Sequence, residues 1–188
     1  MQSSNKLKYR RFSIGEIKLA TNGFSDQYFL GEDELGKIYR GNIRENDHDY
    51  VVIVKRVDNE YKIMLQNEID SLSSFHHSNI IYLLGYCEVD EKILLYDFMP
   101  NGSLYYYLFN NKNQRCNLTV EQRLEICIGT ANGLNHLHFG TKSSIIVHGD
   151  VNSSNIFLDG NFAAKLLAPQ FECCLQYYIT TIKGLIDD

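Results

Sequence analysis

The eight residues His148-Gly149-Asp150-Val151-Asn152-Ser153-Ser154-Asn155 constrain this chain more than any other stretch. They are polar, and apolar runs flank them, Ile145-Ile146-Val147 before and Ile156-Phe157-Leu158 after. Short β-branched and aliphatic runs of this kind read as strands, and the polar residues between them read as a loop. Asp150 and Asn155 stand five apart in that loop, a spacing that can aim a carboxylate and an amide at one point. Asp and Asn are also ordinary turn formers, so the rest of the chain has to choose between a site and a turn.

Upstream, Gly31 and Gly36 flank a polar turn, and Ile38-Tyr39 opens a strand. This pattern suits a glycine loop over phosphates and equally an ordinary hairpin; Asp33 adds a side chain and a negative charge between the glycines. Tyr50 to Lys55 is a β-branched run ending in a lysine. Residues 61–75 read as a helix with Leu65, Ile69 and Leu72 on one stripe and Glu68 near its edge. Ile80–Cys87 and Lys92–Phe98 read as strands around a charged turn, and Pro100-Asn101-Gly102 breaks the chain before a short helix, Leu104 to Phe109.

Two capping boxes mark helix starts: Ser13 with Glu16, and Thr119 with Gln122. The first helix should run to about Asn22 and stop at Gly23. The second is the strongest in the chain and should reach about His138, with Val120, Leu124, Cys127, Ala131 and Leu134 recurring along one stripe. Residues 1–11 read as a flexible lead-in, Phe162 to Leu167 as a short strand, and the residues from Pro169 onward as irregular.

Composition excludes several classes. At 188 residues with 44% hydrophobic and 22% charged content, the chain is globular rather than disordered. A net charge of −5 gives no basic field for nucleic acid. The five cysteines are odd in number and scattered, which fits neither a disulfide framework nor a metal clip and suits a reducing cytosol. His76-His77 reads as a turn, and His136 and His138 as partners of a helix C-terminus or as core residues. Met1 to Lys6 shows no apolar leader core, and no apolar run of spanning length follows, so neither secretion nor a membrane span is expected of these residues.

The order is glycine loop, strand lysine, helix glutamate, hinge, long helix, Asp/Asn loop and strand pair. It resembles the protein-kinase fold, and the sequence is most similar to plant receptor-like kinases of the malectin-like, FERONIA-type group. Arg11-Phe12-Ser13-Ile14-Gly15-Glu16-Ile17, Ala20-Thr21-Asn22, Asn67-Glu68-Ile69, Leu84-Gly85-Tyr86-Cys87, Asn101-Gly102-Ser103-Leu104 and Gln122-Arg123-Leu124-Glu125-Ile126-Cys127-Ile128-Gly129 carry the likeness. It implies an α+β, kinase-like two-lobed fold with a complete small lobe and a truncated large lobe. Residues 1–27 would be a juxtamembrane-like segment with a short helix, 28–98 the small lobe, and 99–188 an incomplete large lobe ending in the activation segment.

The resemblance also implies roles. Lys55 and Glu68 are the phosphate-binding ion pair, and Gly31, Gly36 and Ile38 belong to the glycine loop. Tyr96 is the gatekeeper and Met99 the hinge residue whose backbone meets adenine, while Phe157 replaces a smaller apolar residue under the adenine and would narrow that pocket. Asp150 is the base position and Asn155 a magnesium ligand. The departures weigh as heavily. Ala168-Pro169-Gln170 stands where the family has Asp-Phe-Gly, so the metal-holding aspartate is replaced by Ala168. Asn152 replaces the loop lysine that meets the γ-phosphate, and Gly149 the arginine that pairs with a phosphorylated activation loop.

The expectation is a pseudokinase that holds ATP weakly, binds magnesium poorly and acts through protein partners, full-length receptor-like kinases among them. An active Ser/Thr kinase with an atypical metal site and a non-functional remnant stand as alternatives. The stripe on the long helix would be left uncovered as a partner surface. The expected location is cytoplasmic, the cytosolic face of the plasma membrane included.

Overall fold

A computed structural model describes residues 7, 9–33, 36–58, 69, 76–89, 91–109, 118–140 and 146–167. The chain divides into two compact units, residues 1–74 with 82–98, and residues 75–81 with 99–188.

The first unit is built on a six-stranded sheet. Its strands are β1 (Arg10–Arg11), β2 (Phe29–Asp33), β3 (Gly36–Glu45), β4 (His48–Val57), β5 (Leu83–Cys87) and β6 (Lys92–Asp97). Their order is β1-β5-β6-β4-β3-β2; β1 runs parallel to β5 and every other pairing is antiparallel. Strand side chains alternate between faces. Tyr39, Val52, Val54, Ile93 and Leu95 therefore share one face, where they form a core with Ile17 and Ala20 of helix α1 (Ile14–Ala20). The capping box that opens α1 is formed: Ser13 Oγ accepts the Glu16 N–H, and the Glu16 carboxylate accepts the Ser13 N–H at 2.8 Å. Gly23 closes the helix by donating its N–H to the Lys18 carbonyl.

The N-terminal segment differs from the expected flexible lead-in. Leu7 and Phe12 are buried in the same core, and Arg10–Arg11 adds a strand to the sheet edge. A strand of two residues is too short to register in sequence. Of residues 61–75, only Ile69 is described; it is helical and buried. The strand expected from Ile80 begins at Leu83 instead, because Ile80 belongs to the second unit and bridges to Leu166 there.

The second unit holds helices α2 (Leu104–Phe109) and α3 (Val120–Phe139) and the hairpin β7 (Ile156–Leu158) with β8 (Ala164–Leu166). The box at Thr119 and Gln122 is formed, and Gly140 caps the far end of α3. The stripe read from the sequence is uncovered: Val120, Leu124, Cys127 and Ala131 are exposed and Leu134 is half-buried. The packed face is a different one, Ile126, Gly129, Thr130, Gly133 and Leu137. Its centre is glycine because Asn79 and Ala164 press on the helix backbone: a β-carbon at Gly129 or Gly133 would lie 2.8 Å from an Asn79 atom. A hydrophobicity reading undercounts such a face. Ile146-Val147 is not a strand; Ile146 instead donates its N–H to the carbonyl of Leu137 at the end of α3.

Candidate functional site

In the first unit, the sheet register brings three of the candidate residues into a row. Gly31 pairs with Ile38 across β2 and β3, and Ile38 pairs with Lys55 across β3 and β4. Directly paired side chains project to the same face of a sheet, so Ile38 and Lys55 lie together, opposite the face that packs on α1. Lys55 continues the row to Leu94 on β6. Gly36 is required by a close approach: a β-carbon there would fall 2.1 Å from the Arg56 carbonyl oxygen.

Lys55 is 3% exposed. Lysine is almost never buried to this degree without a partner, and Lys55 is engaged in an interaction. Glu68, its expected partner, lies outside the described residues, as does Ala168. Tyr96 is buried on β6, opposite Ile53.

In the second unit, the Asp150 loop is held from within. Asn155 Nδ2 donates to the Asp150 carbonyl and to Asp150 Oδ2, both at 2.9 Å. Asn152 Nδ2 donates to Asp150 Oδ1 at 2.7 Å. Both carboxylate oxygens thus accept from neutral amides. Asn152 Oδ1 in turn accepts the Ser154 N–H at 2.8 Å, an Asx-type turn that shapes the loop. Leu167 donates its N–H to the Asn155 carbonyl at 2.9 Å, which ties the loop to the end of β8.

His148 anchors the start of the loop. It is buried, its Nε2 lies 2.7 Å from the Leu167 carbonyl, and its Nδ1 accepts the Asp150 N–H at 3.3 Å. Burial pushes its pKa below the usual histidine value, with the Leu167 carbonyl and Asp150 acting in the opposite direction. Sequence reasoning gave His148 no role of its own, and the apolar run before it was the only hint that it would be enclosed. Met99 is buried, and its carbonyl accepts the Gly102 N–H at 3.0 Å in the turn before α2. Phe157 sits at the centre of β7, half-buried, paired with Lys165 and bridged to Ser103.

This loop presents an oriented carboxylate with an amide beside it, a geometry able to accept a proton from a hydroxyl. The described loop offers magnesium few oxygens. That ion takes oxygen ligands in octahedral geometry, commonly with one or two carboxylates. The loop offers the amide oxygen of Asn155 and the carboxylate of Asp150, each of whose oxygens already accepts from one amide. Ala168 contributes no side-chain oxygen.

Comparison with known proteins places these observations. A family model described as protein tyrosine and serine/threonine kinase matches residues 25–170. The receptor-like protein kinase FERONIA of Arabidopsis thaliana is 42% identical over 161 residues, which cover 84% of this chain and 17% of that protein. The receptor-like protein kinase ANXUR2 of the same plant is 41% identical over 165 residues, covering 84% of this chain and 18% of that protein. The chain spans about a fifth of the length of the curated relatives it matches. Among the described residues, no helix is long and apolar enough to cross a membrane.

Proposed function

Since this chain belongs to the protein tyrosine and serine/threonine kinase family, with receptor-like kinases of plants as relatives, we propose that it is a pseudokinase, a signalling module that works by binding other proteins. The observation that carries the reading is the Asn152 amide on Asp150 Oδ1. A neutral amide occupies the position that the kinase resemblance gives to a lysine, and it turns towards the base rather than supplying a cation for phosphate. Ala168 removes a second charged group by the same comparison.

Phosphoryl transfer rests on positioning and charge stabilisation. Losing one electrostatic group from a catalytic site costs about 2.7–4 kcal/mol, roughly 10²–10³ in rate. Two such losses beside one phosphate lower turnover by several decades even when their effects overlap. The row of Gly31, Ile38 and buried Lys55 supports retained, weak ATP binding in which magnesium contributes little. The partner class that fits is a full-length receptor-like kinase, met at the cytosolic face of the plasma membrane.

A second reading, a slow Ser/Thr kinase with an atypical metal arrangement, draws on the intact bond between Asn155 and Asp150. Labelled ATP separates the two. For the pseudokinase, the purified chain with magnesium and an acceptor protein gives no incorporation above that of Asp150→Ala. Incorporation that vanishes in Asp150→Ala establishes the kinase instead.

A further inference from the structure

Two histidines of the second unit hold their loops in the same way. His77 Nδ1 accepts the Asn79 N–H at 3.1 Å, as His148 Nδ1 accepts that of Asp150. A ring nitrogen that accepts carries no proton, so each ring is neutral with its hydrogen on Nε2. His77 differs in its second neighbour. Its ring stacks on that of His136 from α3, with centroids 4.7 Å apart and planes 20° from parallel. Protonation of His77 turns Nδ1 from acceptor to donor, so two donors then face each other at Asn79.

The charged and titratable groups around His77 come from each neighbouring element. His136 faces it from α3, and Lys165 lies near it from β8, with Nζ on the Ser78 carbonyl and 3.5 Å from Asp159. His76 precedes it on its own segment. Around His148 are Asp150 from its own loop and His138 from α3. For His77, burial, His136 and Lys165 all act to lower the pKa.

What His77 holds reaches the Asp150 loop. Asn79 is seated on Gly129 and Gly133 of α3, and its Nδ2 donates to the Ala164 carbonyl at 2.9 Å. Its carbonyl accepts the Leu166 N–H at 2.8 Å, and the Leu166 carbonyl accepts the Ile81 N–H at 2.9 Å. The next residue, Leu167, donates to the Asn155 carbonyl. We propose that the stack of His77 on His136 forms a pH-sensitive latch: while His77 is neutral it fixes the Asn79 turn against α3, and protonation of His77 releases that turn and slackens the Asp150–Asn155 loop through β8. This inference stands apart from whether the loop transfers phosphate.

The sign follows from linkage. The folded-state pKa of His77 is lowered from an ordinary value of 6.5. The unfolded chain therefore takes up the proton first as pH falls. The latch is at full strength above about 6.5 and weakens with acidification below it.

The experiment is histidine-ring NMR with amide hydrogen exchange on the whole chain, between about pH 7.5 and about pH 5.5. At neutral pH, His77 should show the Nε2–H tautomer. On acidification, the amides of Asn79 and Leu167 should lose protection together, by about tenfold for each unit by which the pKa is lowered. In His77→Asn, a side-chain oxygen can accept the same N–H without titrating, and protection at Asn79 should become independent of pH. Protection at Asn79 that is constant in the parent chain, or that still falls in His77→Asn, overturns the latch. Loss at Leu167 alone assigns the effect to His148 and overturns the coupling. Should His77→Asn not fold, a parent His77 carrying its proton on Nδ1 is enough to overturn it.

Discussion

Gly85 lies directly beneath the ring of Phe12. A β-carbon at Gly85 would fall 2.0 Å from the Arg10 carbonyl oxygen and 2.5 Å from Phe12 Cε2. The parallel pairing of β1 with β5, extended by the Phe12 N–H on the Tyr86 carbonyl at 2.8 Å, brings the N-terminal segment this close. Arg10 adds to the seal, its guanidinium 3.8 Å over the Phe12 ring and 3.0 Å from Glu16. Gly85→Ala must push the segment away and should cost about 1–3 kcal/mol, the usual range for overpacking. Thermal unfolding and limited proteolysis within residues 9–13 read the effect. Gly160→Ala is the control, since its β-carbon would meet only Pro100, at 3.7 Å. Equal melting points for both variants would show that the segment is not held by this contact.

The two faces of α3 should respond in opposite ways to substitution. Leu137 is 0% exposed and Leu124 is 59% exposed. Leu137→Ala should cost about 2–5 kcal/mol. Leu124→Lys should stay within about 0.5 kcal/mol. Denaturant melts of the two variants decide it, and a large loss at Leu124 would mean that the stripe is covered in solution.

Thr119 caps α3 with its side chain, and Gln122 returns the bond to the Thr119 N–H at 2.9 Å. Thr119→Ala should lower stability by about 1 kcal/mol, and Thr119→Ser should restore most of it. Helix content by circular dichroism, followed through the same melt, reads the fraying directly.

Both caps could be read from the sequence because a capping box is local: four residues contain the donor, the acceptor and the spacing. The loop of Asp150 and Asn155 was legible for a similar reason, since six consecutive residues fix its turn. The row of Gly31, Ile38 and Lys55 was readable as order but not as register, because register depends on where β2 and β3 turn. The packed face of α3 was hidden, since glycines that admit Asn79 look in sequence like a weak helix. The β1 strand was hidden too, because its partner Gly85 lies some seventy residues away and signals only by what it lacks. The enclosure of His148 and the stack of His77 on His136 depend on tertiary contacts that no spacing announces.

The metal reading predicts a gain of function. If Ala168 is what removes the cation, Ala168→Asp should make ATP-induced stabilisation depend on magnesium, while the parent chain should show nearly the same shift with and without it. Saturating ligand at 100 times its dissociation constant adds about 2.7 kcal/mol. Asn152→Lys should leave stability within about 0.5 kcal/mol, since Asn152 is exposed, and should strengthen binding of the triphosphate over the diphosphate. Identical magnesium dependence in the parent and in Ala168→Asp would show that the ion is held by other groups.

Lys55 allows a structural lysine to be told from one that serves a ligand. Lys55→Met keeps the bulk of the side chain in its buried position and removes the charge. Should the lysine neutralise a buried carboxylate, that carboxylate is left unpaired, and the variant loses about 3–5 kcal/mol whether or not nucleotide is present. A phosphate-binding role adds a second effect that appears only with ligand. The parent chain should then be stabilised by ATP and the variant, at the same concentration, should not. The comparison has to be made as a difference of shifts, because the first effect lowers both melting points of the variant equally and cancels. Equal ATP-induced shifts in the two proteins would leave Lys55 as a core residue and remove it from the nucleotide site, even if the variant were far less stable.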